Sequence, residues 1–120
     1  MDLIDYRDSR PIYEQISERY KTLILKGVLE AGEQMPSVRS LAMELSTNPN
    51  TVQKAYAELE RQGFLYTVKG KGNYVSGGKE LMENKKTELV QQLAELLKEA
   101  DELGLDRDEL IRKAGECNND

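Results

Sequence analysis

The chain of 120 residues contains no histidine and no tryptophan, one cysteine, one phenylalanine and three prolines. Without histidine the commonest general base is missing, and with it every Ser-His or Cys-His nucleophile pair, which sets most hydrolase mechanisms aside. A single cysteine, Cys117, closes no internal disulfide, and with neither histidine nor a second cysteine a zinc site of the usual kind cannot be assembled. No apolar run approaches the ~20 residues of a membrane span, and the opening MDLIDYRDSR is acidic and lacks the apolar segment of a signal peptide. Gly70-Lys71-Gly72 lacks the spacing of a phosphate-binding nucleotide loop. The expectation is a folded cytoplasmic protein that is not an enzyme, carries no cofactor or metal and has no membrane partner.

What is present is a balance of 38% hydrophobic and 32% charged residues, which supports a modest core. The length suits one domain, or a compact unit with a short appendix. The formal net charge is −5, but its distribution is uneven. Residues 1–76 hold ten Lys/Arg against ten Asp/Glu, whereas residues 77–120 hold seven against twelve. Within the neutral part, residues 45–57 and 66–76 contain Lys54, Lys69 and Lys71 and no carboxylate. Those acid-free stretches are where a phosphate backbone would be met.

From Pro11 to about Gly27, Ile12, Tyr13, Ile16, Tyr20, Leu23 and Ile24 recur at three- and four-residue spacing, an amphipathic helix. Residues 28–36 contain Gly32 and Pro36 and should run as a loop, with Val28, Leu29 and Met35 turned to the core. Ser37 offers a hydroxyl cap to a short helix with Val38, Leu41, Ala42 and Leu45 on one face, ending near Ser46. Asn48-Pro49 opens the next, with Val52, Ala55, Tyr56 and Leu59 inward and Asn50, Gln53 and Lys54 outward, to a stop at Gln62-Gly63. Two β-prone runs, 64–68 and 73–75, then flank Lys69-Gly70-Lys71-Gly72, a hairpin with a basic tip. Tyr13, Tyr20, Tyr56, Tyr66 and Tyr74 read as core or cross-strand residues.

Gly77-Gly78 marks a hinge before a helix to about Leu103, in which Met82, Leu89, Leu93, Leu96, Ala100 and Leu103 form a stripe broadened by Leu97. Such a stripe either folds back on its own domain or pairs with a second copy, and periodicity does not separate the two. Gly104 ends this helix. Asp106 with Glu109 forms a capping box and Leu105 with Leu110 a hydrophobic staple for a last helix to about Ala114, followed by a frayed tail.

Three helices followed by a hairpin, with a tight connection between the second and third, is the element order of a winged helix-turn-helix. The chain is thus expected to be mainly α with a small β-hairpin. The third helix would enter a major groove, where Asn or Gln pairs two-point with adenine and Arg with guanine. Asn48, Asn50 and Gln53 suit that task. Arg39 would lie near the same groove, on a phosphate or a base, and the lysine-glycine tip would approach phosphates or the minor groove.

These segments resemble the GntR-type regulators, and within them the short YtrA-like branch. The resemblance rests on Pro11-Ile12-Tyr13-Glu14-Gln15-Ile16, on Pro36-Ser37-Val38-Arg39-Ser40-Leu41-Ala42, and on Asn48-Pro49-Asn50-Thr51-Val52-Gln53-Lys54-Ala55-Tyr56. Leu59-Glu60-Arg61-Gln62-Gly63-Phe64 and Gly70-Lys71-Gly72-Asn73-Tyr74-Val75 complete it, so that it covers about residues 10–76. It implies DNA contacts by Arg39, by Asn48, Asn50 and Gln53, and by Lys69 and Gly70. With the neighbouring Pro49, Thr51, Lys54 and Lys71 these make up the expected DNA-binding set. Lys69 stands where the family has arginine; it keeps the charge without the planar fork, which suits a phosphate better than a guanine.

The short branch implies two C-terminal helices that pair between subunits. The expected organisation is therefore a DNA-binding domain over 1–76 and a helical dimerisation region over 77–120. The function implied is a homodimeric repressor on an inverted-repeat, double-stranded operator, with an unknown small-molecule effector as a further possible partner. The net acidity favours one rival, a winged-helix protein-interaction module that does not bind DNA.

Overall fold

The computed structural model describes residues 4–77 and 79–118. Its elements are α1 (Ile12–Leu25), α2 (Val38–Glu44), α3 (Pro49–Arg61), β1 (Leu65–Val68), β2 (Gly72–Val75), α4 (Lys79–Glu102) and α5 (Arg107–Cys117). This is the mainly helical architecture with one hairpin that the periodicities predict. The described residues fall into two compact units, one ending at Met82 and one beginning at Glu83.

In the first unit, side-chain oxygens cap the starts of α2 and α3. The Ser37 hydroxyl accepts from the Ser40 N–H, and the Asn48 carboxamide oxygen accepts from the Asn50 N–H at 2.8 Å. Each satisfies a backbone donor that the helix itself leaves unpaired. The ends of α1, α2 and α3 share one device: the residue two beyond the helix adopts a left-handed backbone, and two amides turn back onto the last carbonyls. Gly27 and Gly63 serve α1 and α3, but α2 ends on Ser46, at φ 52°. There the Ser46 N–H donates to Met43 O at 3.2 Å and the Thr47 N–H to Ala42 O at 2.9 Å. This closed turn makes the α2–α3 connection tight.

The core gathers the inner faces of all three helices. Val52, Ala55, Tyr56 and Leu59 of α3 are buried with Ile16, Tyr20 and Ile24 of α1 and Leu41 and Ala42 of α2. Phe64, Leu65, Val75 and Met35 close it. Each large aliphatic or aromatic side chain taken from water contributes about 1.5–3 kcal/mol, so α3 is held mainly by this face. Tyr20 meets Tyr56 edge-on at 6.3 Å, and the Tyr56 hydroxyl donates to Pro36 O at 2.8 Å. Gln15, also buried, uses both ends of its carboxamide to hold residues 5–10 against α1: Oε1 accepts from Asp5 N–H, and Nε2 donates to Arg10 O.

The hairpin pairs Leu65 with Val75 and Val68 with Gly72, placing Tyr66 on Tyr74 as a stacked cross-strand pair. The outer edge of β2 is not open. Gly32 N–H donates to Val75 O, Val75 N–H to Glu33 O and Met35 N–H to Asn73 O, at 2.7–2.8 Å. Residues 32–35 therefore act as a third strand, which covers an edge that would otherwise invite pairing with another chain.

In the second unit, Asp106 caps α5 by accepting from the Asp108 and Glu109 amides. Arg107 pairs with Asp101 across the connection. Ala100 is buried, while Leu89, Leu93, Leu96 and Leu103 remain half or more exposed. Leu93, Leu96, Ala100, Leu103, Leu105, Leu110 and Ile111 line an open apolar groove of about 350 Å³.

Four local expectations change. Val28 is 63% exposed instead of joining the core, because the left-handed turn at Gly27 folds the chain back on the end of α1, with both the Val28 and Leu29 amides on Leu23 O, and it is Leu29 that packs against the core. The last helix runs through Gly115 and Glu116 to Cys117 instead of stopping at Ala114, since Gly115 keeps a helical backbone. Glu109 pairs with Lys113 at 3.2 Å instead of completing the capping box. Gly77 serves close approach, since a Cβ there would stand 2.1 Å from that of Ala31. Gly78, the other half of the expected hinge, and Asn119-Asp120 of the expected frayed tail lie outside the described residues.

A non-glycine left-handed residue costs about 1–2 kcal/mol, most for branched side chains. Ser46→Val should lower stability by about that amount in thermal or urea denaturation, whereas Ser46→Gly should not lower it at all.

Candidate nucleic-acid interface

The charge of α3 is divided along its axis. Its first two turns carry no carboxylate, and Asn50, Gln53 and Lys54 are exposed there, with Thr51 half-buried. The acids lie further on. Glu58 accepts from Arg61 at 2.5 Å and from Gln62 at 2.6 Å, and these hydrogen bonds, Arg61's first, hold its carboxyl down at about 2. A Glu60 oxygen lies 3.1 Å from the Thr67 hydroxyl of β1. The start of α3, with the partial positive charge of a helix N-terminus, thus carries no carboxylate of its own.

The expected DNA-binding side chains occupy distinct settings. Asn48 is committed first to the helix through Oδ1, which leaves its NH2 group to donate outward. Pro49 is the first helical residue and fixes the backbone where the chain enters α3. Asn50 and Gln53 make no side-chain hydrogen bond among the described residues, so both ends of each carboxamide remain available. Lys54 is not simply extended into solvent: its ammonium stands over the Tyr13 ring of α1, 4.0 Å from the centroid. A cation so placed keeps its charge while losing much of its rotameric freedom.

Arg39 is the second residue of α2 and is exposed. At the hairpin tip Lys69, Gly70 and Lys71 are exposed, with Gly70 left-handed at φ 81° and the Lys71 N–H closing the turn onto Val68 O at 2.9 Å. The eight ion pairs among the described residues use none of Arg39, Lys54, Lys69 and Lys71. All four cations therefore remain outside any ion pair among the described residues, on the compact unit that also carries the acid-free helix start. Among the described residues there is no group of three or more acids or cysteines that could hold a metal ion, and no helix long and apolar enough to cross a membrane.

Sequence reasoning passes over three residues of this surface. Tyr13, whose spacing places it with the core or cross-strand residues, also carries Lys54. Gln34, unremarked in its loop, donates from Nε2 to the Lys71 carbonyl at 2.8 Å. Met43 is 76% exposed, one turn after Arg39. Only Met43 leaves a sequence signal, since it falls off the α2 stripe of Leu41, Ala42 and Leu45.

Comparison with known proteins agrees with this geometry. Residues 12–75 match the family described as bacterial regulatory proteins, gntR family. The HTH-type transcriptional repressor YtrA of Bacillus subtilis is 46% identical over 109 residues, covering 89% of this chain and 84% of that protein. A GntR family transcriptional regulator from Listeria monocytogenes superposes with a TM-score of 0.71 at 39% identity, over 94% of this chain and 98% of the other. The DNA-binding domain of AraR, solved in complex with operator ORR3, superposes with a TM-score of 0.54 at 27% identity, over 61% of this chain and 88% of that domain.

Cap and surface roles of Asn48 separate by substitution. Asn48→Ala should cost about 1 kcal/mol in urea unfolding through loss of the cap. Asn48→Asp should retain that stability yet weaken binding to duplex DNA, because it places a carboxylate on the acid-free edge; equal DNA binding by the Asp variant would remove this edge from the interface.

Proposed function

The chain belongs to the GntR family of bacterial regulatory proteins, and from that membership we propose that it is a homodimeric transcription repressor reading an inverted-repeat operator. It is a DNA-binding transcription regulator, and the family consists of regulators, not enzymes. The observation that carries the finer reading is the acid-free start of α3, with Asn50 and Gln53 unengaged, on the unit where Arg39, Lys54, Lys69 and Lys71 enter none of the ion pairs among the described residues. Phosphate contacts by the cations set affinity and register, and the α3 carboxamides with Arg39 read base edges. Repression is supported by the B. subtilis relative, which is named a repressor, and operator binding by the AraR domain, solved on an operator. The setting would be the cytoplasm, where the operator lies.

Dimerisation is supported by the second unit. Leu93, Leu96, Leu103 and Ile111 are each half or more exposed around one apolar groove, a clustered apolar surface of the kind that marks an interaction site. A two-fold pair of such units would present two recognition helices to half-sites ~34–36 Å apart, or a multiple of that. The DNA-binding domain is assigned to residues 1–76 and the dimerisation region to 77–120. A small-molecule effector, if one acts, would have to bind outside the α3 edge.

Arg39→Ala and Asn50→Ala, made separately, should each lower affinity for the selected operator by roughly 1–3 kcal/mol while light scattering still gives a dimer and helicity is kept. Wild-type binding should weaken steeply as salt rises, since several phosphates are neutralised. Salt-independent binding, or full operator affinity in both variants, would favour instead the protein-interaction module to which the net acidity points.

A further inference from the structure

The hairpin tip is the least supported part of the first unit. Two four-residue strands joined by a turn are marginal alone, and Gly70 and Gly72, both at positive φ, add freedom where Lys69 and Lys71 sit. The backbone bonds from residues 32–35 to β2 reach only as far as Asn73. Beyond them, toward the tip, the one tie among the described residues is a side chain: Gln34 Nε2 donates to the Lys71 carbonyl at 2.8 Å, bridging 37 positions of sequence. The same Nε2 would stand 3.5 Å from a Cβ built at Gly72, so the carboxamide lies close against the turn.

Gln34 is also next but one to Pro36. The Pro36 carbonyl receives the Tyr56 hydroxyl of α3, and the Ser37 hydroxyl that follows caps α2. We propose that Gln34 is a positioning residue for the wing, a strap that fixes the tip lysines relative to α2 and α3 through the Gln34, Pro36 and Tyr56 links. This deepens the reading of the hairpin as a phosphate-contacting wing and rests on it. A strap of this kind acts by preorganisation. It touches no nucleic acid, and its worth is the ordering that the tip no longer undergoes on binding. Lys69, which lacks arginine's planar fork, depends on such placement more than an arginine would.

The test uses the full chain and two variants of an exposed residue, Gln34→Ala and Gln34→Met, the second keeping the stem and losing only the amide. Nitrogen-15 relaxation at residues 69–72 of the DNA-free protein should report greater mobility in both. Operator affinity should fall roughly two- to tenfold, the range of one net hydrogen bond. It should not fall further when Lys69→Ala and Lys71→Ala are already present. Unaltered relaxation overturns the strap. An equal loss in the lysine-free background also overturns it, since Gln34 would then touch DNA itself. Should the double lysine variant bind operator as well as wild type, the wing reading fails separately, and relaxation still decides whether Gln34 holds the tip.

Discussion

The rest of the structure depends on the burial of Tyr56. Its ring closes the space between α1, α3 and the loop before α2, edge-on to Tyr20, and it is among the most completely buried side chains of the chain. Its hydroxyl reaches through to the Pro36 carbonyl, so one residue supplies both apolar area and a satisfied polar contact. Burial pushes the pKa of its hydroxyl far above the usual tyrosine range, so the group stays protonated and a donor at any physiological pH. The consequence for function is geometric. The outer edge of α3 can be offered to a duplex only if its inner edge is immobile, and Tyr56 with Val52, Ala55 and Leu59 makes it so.

Electrostatics then decide which surface is offered. The molecule is acidic overall, yet the acids of α3 are confined to its second half and one is held by Arg61 and Gln62. Net charge therefore misleads for this protein, and local distribution does not. A polyanion feels the potential within about a Debye length, roughly 8 Å at physiological salt, so the charges near a contact weigh more than the net charge of the chain.

Much of this was legible because the chain is well punctuated. Pro11, Ser37, Asn48-Pro49, Gly63 and Asp106 state where helices begin and end, and the stripes between them name the core. Those signals are local, and the structure follows them. The exceptions come from choices that a linear pattern does not contain. Val28 and Leu29 are equally apolar, and only the turn at Gly27 decides which faces inward. Gly115 reads as a stop but lies within α5, because its own backbone does not take the left-handed turn that ends a helix. The candidate surface divides in the same way. Residue types and their order along α3 could be read directly, whereas Lys54 over Tyr13 and Gln34 on Lys71 join residues about 40 positions apart and become visible only in three dimensions.

The central claim is that the edge from Asn48 to Lys54 lies in a duplex groove with the rest of the unit behind it. The most direct measurement is a titration of the nitrogen-15 labelled protein with its operator duplex, following backbone and side-chain amides together. The account predicts that the Asn50 and Gln53 side-chain amides and the backbone around Arg39 and Lys69 to Lys71 shift most. Shifts confined to residues 83–118, with those carboxamides unmoved, would contradict it.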